Sequence, residues 1–271
     1  MDLAYDRTGS GDPLVLLHGL GHRRQAFDAV VPLLAADRDV ITVDLPGMGE
    51  SPFPAVGDFR TMADMLEKLF GDLGIERPHV AGNSLGGLLS LELAARGSVR
   101  SATALSPAGF WNTPEKYWCM AVFRIAGFLG DKLPDRVADL IIRNRFARVA
   151  LFGLFFGRPS RHETAVLKQE LRCLGRDHRP AIDAAMSQLR QWSELPAPAA
   201  GVPVTIAWGG RDLTLFPHQA RRAKRAYPAA RFVTLRGLGH VPMVDDPEQV
   251  AAVLLEGSGA SPASPTPGSR V

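Results

Sequence analysis

The stretch that most narrows the folds open to this chain is His79-Val80-Ala81-Gly82-Asn83-Ser84-Leu85-Gly86-Gly87, which continues as Leu88-Leu89-Ser90-Leu91-Glu92-Leu93-Ala94-Ala95. A short apolar run enters a turn holding one serine, with a glycine two residues away on each side, and leaves as an almost wholly apolar helix. A helix apolar on every side belongs beside a buried sheet. The spacing Gly-x-Ser-x-Gly is what a sharp strand-to-helix corner needs, because larger side chains at the flanking positions would collide and the serine itself is held in strained dihedrals. Such a corner presents the Ser84 hydroxyl at a strand end, with the N-terminus of a helix behind it favouring negative charge. Ser84 is therefore a candidate nucleophile. A plain strand-turn-helix link is the alternative, and the rest of the chain has to separate the two.

Further apolar runs supply the sheet. Leu3 to Arg7 predicts a short edge strand ended by Thr8-Gly9-Ser10-Gly11-Asp12-Pro13, and Leu14-Val15-Leu16-Leu17 a strand covered on both faces, stopping at His18-Gly19-Leu20-Gly21. Helical spacing from about Gln25 to Ala36 leads to a strand at Val40-Ile41-Thr42-Val43. The loop Asp44-Leu45-Pro46-Gly47-Met48-Gly49-Glu50-Ser51 and an amphipathic helix, Met62 to Leu73, complete the approach to Ser84. Val99 to Leu105 is the next strand. From about Trp111 to Leu195 the periodicity is helical only, too long for a loop and so expected to be a helical insertion with its own packing. Strands resume at Val202 to Trp208 and Arg231 to Leu235, with helices at about Pro217 to Ala226 and Pro247 to Leu255. Continuous apolar strands alternating with helices predict an α/β fold, a mostly parallel sheet with helices on both faces. The expected division is a core of residues 1–110 and 196–256, an inserted helical cap at 111–195, and a disordered tail at 257–271, rich in Gly, Ser, Pro and Ala.

Several function classes are disfavoured. No apolar run approaches the roughly 18 residues of a membrane span, and the N-terminus does not read as a secretory leader, so a cytoplasmic protein is expected. A net charge of +3, from arginines interspersed with acids, gives no nucleic-acid footprint. There is no metal-spaced Cys/His cluster and no phosphate-binding loop, so neither metal nor cofactor is expected. The two cysteines, Cys119 and Cys173, are expected as free thiols, with a single bridge the alternative.

A serine hydroxyl needs a base within reach, and an imidazole base needs a carboxylate to hold its tautomer. Sites in parallel sheets form at the carboxyl ends of strands. Two residues stand just past late strands: Asp212, after Trp208-Gly209-Gly210-Arg211, and His240, after Gly237-Leu238-Gly239. His22, His79, His162, His178 and His218 occupy no such place. Asp245 and Asp246 are expected to begin the final helix, Asp44 to be structural, and His18 to be hydrogen-bonded within its own loop. In a serine hydrolase a loop such as His18 to Gly21 contributes a backbone N–H, here that of Leu20, to the oxyanion hole.

These segments together, His18 to Gly21, Asp44 to Ser51, Gly82 to Gly87, Trp208 to Asp212 and Gly237 to His240, resemble the α/β-hydrolase superfamily over about Leu3 to Leu255. The resemblance implies Ser84 as nucleophile, His240 as base, Asp212 as its orienting acid, and the N–H groups of Leu85 and Leu20 as the oxyanion hole. A serine at the elbow speaks against the haloalkane dehalogenase and epoxide hydrolase branches, which look for aspartate there. The short N-terminus implies that the first of the usual eight strands is absent.

The leading expectation is hydrolysis of a carboxylic ester or related acyl compound, on a small-molecule substrate that is apolar in part, with oligomeric state open. Asn83, before the nucleophile, is similar to what meta-cleavage product hydrolases carry, so carbon–carbon bond hydrolysis is the alternative. Arg190 and Trp192 are then candidates to face an acidic, planar substrate, against the plainer roles of a solvated arginine and a packing tryptophan. From another class, the same scaffold serves cofactor-free haloperoxidases, perhydrolases and lyases. A non-catalytic ligand receptor is a further alternative. The phenylalanines Phe152, Phe155 and Phe156 are expected in the core rather than against substrate.

Overall fold

The computed structural model of the chain describes residues 2–52, 58–191 and 197–260. Seven strands form its sheet: β1 (Tyr5–Gly9), β2 (Asp12–Leu17), β3 (Arg38–Val43), β4 (His79–Asn83), β5 (Ser101–Leu105), β6 (Val204–Gly209) and β7 (Arg231–Leu235), in the order β1-β3-β2-β4-β5-β6-β7. Only β1 runs antiparallel, with Tyr5 opposite Val43, and every other neighbour is parallel. Strands β3, β4, β5 and β6 are buried along their whole length, which is why each reads as a continuous apolar run rather than an alternating one.

Helices α1 (Phe59–Asp72) and α2 (Leu85–Arg96) flank the sheet. The Asp58 carboxylate caps α1 by accepting from the Thr61 N–H at 2.8 Å. Leu85 to Leu93 and Ala94 of α2 are all buried, so its uniformly apolar sequence reflects enclosure on every side. Between β5 and β6 the described residues form helices and no strand: α3 (Thr113–Lys132), α4 (Asp135–Arg143), α5 (Arg145–Phe152), α6 (Thr164–Arg172) and α7 (Arg179–Gln191), the last two joined by a π-helical turn, Cys173–Asp177. A capping box starts α3, in which Asn112 Oδ1 accepts from Glu115 N and Glu115 Oε2 from Asn112 N, both at 3.0 Å. After β6 come α8 (Ala220–Ala226) and, after β7, α9 (Pro247–Gly257). Cys119 and Cys173 are free and buried. Among the described residues no helix is long and apolar enough to cross a membrane.

Three expectations are corrected. The helix expected from Gln25 to Ala36 is two separate turns, Arg24–Phe27 and Val31–Leu34. Pro32 in the first turn of the second has no N–H to continue a helix arriving from before it. The edge strand is shifted to Tyr5–Gly9, because Leu3 is drawn into the core and the outward-facing residues after it pair with β3. Gly257 and Ser258, assigned to a disordered tail, close the last helix instead: Ser258 is buried, and its carbonyl and hydroxyl accept from Arg38 Nη2 and Nε at 2.7 and 3.1 Å. Residues 261–271 lie outside the described residues.

Candidate active site

Ser84 is the turn between β4 and α2, with φ 53° and ψ −108°, a region L-residues avoid. The corner is held by its neighbours: Ser84 N donates to Leu105 O at 2.9 Å, and Ser84 O accepts from Leu88 N and Ala108 N at 3.0 and 3.1 Å. The flanking glycines are required by space. A Cβ on Gly82 would stand 2.2 Å from the Gly86 carbonyl oxygen, and one on Gly86 2.1 Å from that of Leu17. Leu85 is the first residue of α2, and the first N–H groups of a helix have no acceptor within it.

Asp212 and His240 arrive from the loops after β6 and β7. The Asp212 carboxylate is fully buried and satisfied on both oxygens: Oδ1 accepts from Thr214 N and Leu215 N at 2.9 and 2.8 Å, while Oδ2 accepts from His240 Nδ1 at 2.8 Å. That loop is itself pinned, since Trp208 Nε1 donates to Leu215 O at 2.9 Å and Thr214 Oγ1 to Leu154 O at 2.8 Å. With Nδ1–H committed to the carboxylate, the neutral imidazole has its lone pair on Nε2. His240 Nε2 is buried and has no hydrogen-bond partner among the described residues.

His240 shares a pocket with Ser84. Gly19, Leu20, His22, Asn83, Phe123, Phe155 and Leu174 complete its lining. Leu20, expected to contribute an N–H to an oxyanion hole, is thus in the wall, as is Asn83. Asn83 spends its amide N–H groups inward, on the carbonyls of His240 at 2.8 Å and Leu105 at 3.2 Å, so it braces the His240 loop against β4. Arg190 precedes Gln191, the last residue of α7, and its side chain lies outside the described residues, as does the whole of Trp192. Phe152, Phe155 and Phe156 are all buried in the core, and Phe155 also lines the pocket beside Phe123, edge to face with ring centroids 5.8 Å apart.

His18 and Asp44 hold loops. His18 Nδ1 meets Gly19 O at 2.8 Å and its Nε2 accepts from Leu45 N at 3.0 Å, and burial pushes its pKa down to about 3, so it stays neutral. Asp44 accepts from Arg24 N at 2.6 Å, from the Arg24 guanidinium and from Glu50 N at 2.9 Å.

Two residues at the site escaped the sequence reading. Asp246 caps α9 as expected, accepting from Gln249 N at 3.0 Å, but Asp245 does something else. Its enclosed carboxylate gathers Gly157 N and Gly239 N at 2.7 Å, His162 Nε2 at 2.9 Å and Arg158 N at 3.2 Å, and so ties the end of α5 to the His240 loop. Beside it His240 N donates to Phe155 O at 2.6 Å. The second is His22, which stands in the pocket wall with Glu170 of α6 against it. The one signal for His22 in the sequence is its place directly after the Gly19 to Gly21 loop.

The alpha/beta hydrolase family model matches residues 14–253. The chain belongs to this family. Within it, this alpha/beta hydrolase is 28% identical over 256 residues to a dihydrolipoyllysine-residue acetyltransferase component of an acetoin cleaving system from Pseudomonas putida, covering 90% of its own length and 63% of that protein's. It therefore spans less than two thirds of that relative. It is 27% identical over 260 residues to a pimeloyl-[acyl-carrier protein] methyl ester esterase from Aeromonas hydrophila, covering 94% of itself and 98% of the esterase. To the epoxide hydrolase EphH of Mycobacterium tuberculosis it is 32% identical over 203 residues, 71% of this chain and 91% of that one.

Proposed function

We propose that this alpha/beta hydrolase cleaves a carboxylic ester or related acyl compound through an acyl-enzyme on Ser84. The observation that carries the reading is the bare, buried Nε2 of His240, its ring fixed from behind by Asp212, in the wall of the pocket that holds Ser84. In the proposed reaction His240 Nε2 takes the Ser84 hydroxyl proton as Oγ bonds to the substrate carbonyl carbon. The carbonyl oxygen, now negative, is met by the N–H groups of Leu20 and Leu85. When the tetrahedral species collapses, the leaving alkoxide takes the proton back from His240. A water, deprotonated by the same nitrogen, then releases the acid and regenerates Ser84. Each oxyanion donor is worth on the order of 10²- to 10³-fold.

The helices at 111–195 serve in this proposal as a cap, supplying Phe123, Phe155 and Leu174 as an apolar roof that selects a small, partly apolar substrate. A cytoplasmic site of action belongs to the same proposal. The kinship with an epoxide hydrolase does not redirect it: ring opening by a serine hydroxyl would leave an ether, which water does not hydrolyse as it does an ester. Asn83, on which the carbon–carbon alternative rests, spends its amide N–H groups on backbone carbonyls and leaves Oδ1 buried without a partner among the described residues.

The test is labelling with a fluorophosphonate probe alongside hydrolysis of short-chain nitrophenyl esters. The intact protein is expected to label and turn over. Ser84→Ala is expected to lose labelling and about 10⁶-fold in kcat. Labelling that survives in Ser84→Ala overturns the assignment.

A further inference from the structure

The Ser84 pocket holds a second buried imidazole that the proposed reaction does not use. His22 follows the loop that carries Leu20 and is fixed by a backbone bond from its own N–H to Gly19 O at 3.1 Å. Its side chain is 6% exposed, and Nε2 lies 2.7 Å from Glu170 Oε2, itself on a side chain 8% exposed. The contact is an ion pair whose angle departs from hydrogen-bond geometry, and Nδ1 is buried with no partner among the described residues. Burial by itself depresses the His22 pKa, yet the adjacent Glu170 carboxylate outweighs it and raises the value, favouring the imidazolium. An imidazolium whose Nε2 side faces a carboxylate has one N–H left to offer, at Nδ1. A buried donor left unmet costs more than a met one contributes, so a group of this kind in a pocket wall asks for an acceptor on the ligand.

We propose that His22, held by Glu170, is a specificity-determining residue that donates a hydrogen bond to a second, neutral carbonyl oxygen on the acyl group of the substrate. The inference rests on the ester-hydrolase reading of Ser84. The Glu170 carboxylate already stands against the His22 ring, and four of the other lining residues, Leu20, Phe123, Phe155 and Leu174, are apolar. A ligand carboxylate would bring an unbalanced charge into that enclosure and lose its hydration, whereas a ketone oxygen accepts the same bond at far smaller desolvation cost. The substrate class is thus a keto-acyl ester.

The experiment compares kcat/KM for the nitrophenyl esters of pentanoate, 4-oxopentanoate and hemiglutarate on the full chain, and repeats it with His22→Leu, His22→Gln and Glu170→Gln. A charge-assisted hydrogen bond predicts about a tenfold to hundredfold preference of the intact protein for the keto ester over pentanoate. His22→Leu is expected to bring the two within about threefold, and His22→Gln to keep part of the preference through its amide donor. Glu170→Gln is expected to weaken the preference. Equal rates on pentanoate and its 4-oxo analogue in the intact protein overturn the proposal without needing any variant, and so does a preference for the anionic hemiglutarate ester. If none of the esters is hydrolysed and the fluorophosphonate probe does not label Ser84, it is the ester-hydrolase reading that fails.

Discussion

Removing the Asp245 carboxylate should loosen the helical segment from the core at the point where both meet His240. Asp245→Ala leaves Gly157 N, Gly239 N, Arg158 N and His162 Nε2 without their acceptor. The two at 2.7 Å are the strongest, and a buried donor stripped of its partner costs about 1 to 3 kcal/mol, more where the lost partner was charged. Discounting the longer Arg158 bond and some entry of water, the loss is about 3 to 6 kcal/mol, a large fraction of the 5 to 15 kcal/mol that a protein typically has. At about 2 to 4 °C per kcal/mol for a chain near this size, Tm should fall by roughly 6 to 24 °C. Asp246→Ala is the control: it removes one helix cap at Gln249 N and one bond to Arg158 and should cost about 1 kcal/mol. Asp245→Asn should fall between the two, because its amide N–H₂ faces donors. Urea and thermal unfolding followed by circular dichroism measure all three. Backbone and imidazole donors that truly depend on Asp245 cannot let Asp245→Ala melt within 1 kcal/mol of its parent; that result would refute the reasoning.

Two further outcomes follow from the same geometry. Gly86→Ala should fold poorly or not at all, since the added Cβ meets backbone rather than a side chain that can turn aside, at 2.1 Å from Leu17 O and 2.7 Å from His18 O; a soluble variant with the parent's Tm counts against the tight corner. The depressed His18 pKa makes stability depend on acid in a stated direction. Between its ordinary value near 6.5 and the folded value of about 3 the unfolded chain binds the extra proton, so stability falls as pH drops through that window, by at most about 5 kcal/mol at the bottom. His18→Gln should flatten the slope of unfolding free energy against pH over this range, and an unchanged slope would show that other groups set it.

The sheet was legible because its punctuation is local. Each of β2, β4 and β6 is an apolar run stopped by glycines, and the registers then place Leu17 beside Gly82 and Asn83 beside Leu105, bringing the strand ends to one edge. Asp212 and His240 were legible for the same reason: each follows its strand by a few residues, so the sheet alone decides where they emerge. What the sequence misplaced turns on contacts between distant segments. Arg38 and Ser258 are 220 positions apart, and composition alone cannot show that a serine at the edge of a polar tail has a buried guanidinium waiting for it. Asp245 reads as a helix-starting acid next to Asp246, and only the arrival of Gly157 from 88 residues away distinguishes the two.

His22 shows why rules based on strand ends find some site residues and pass over others. Such rules choose groups that must reach the edge of the sheet, which is the requirement for meeting Ser84. They do not address the walls of the pocket, which are built where helices from the long insertion close over the loops after β2. His22 became a buried imidazole only because α6 carries Glu170 to within 2.7 Å of it, and Leu174 entered the pocket because a π-helical turn after α6 re-aims that stretch of chain. The positions of Ser84, Asp212 and His240 are therefore fixed by the sheet, whereas the rest of the pocket wall depends on how one helical insertion docks. Relatives that share the first set and differ in the second can keep the fold and change the substrate, so what this chain acts on has to be sought in the residues that α3, α6 and the α6–α7 turn bring to the pocket.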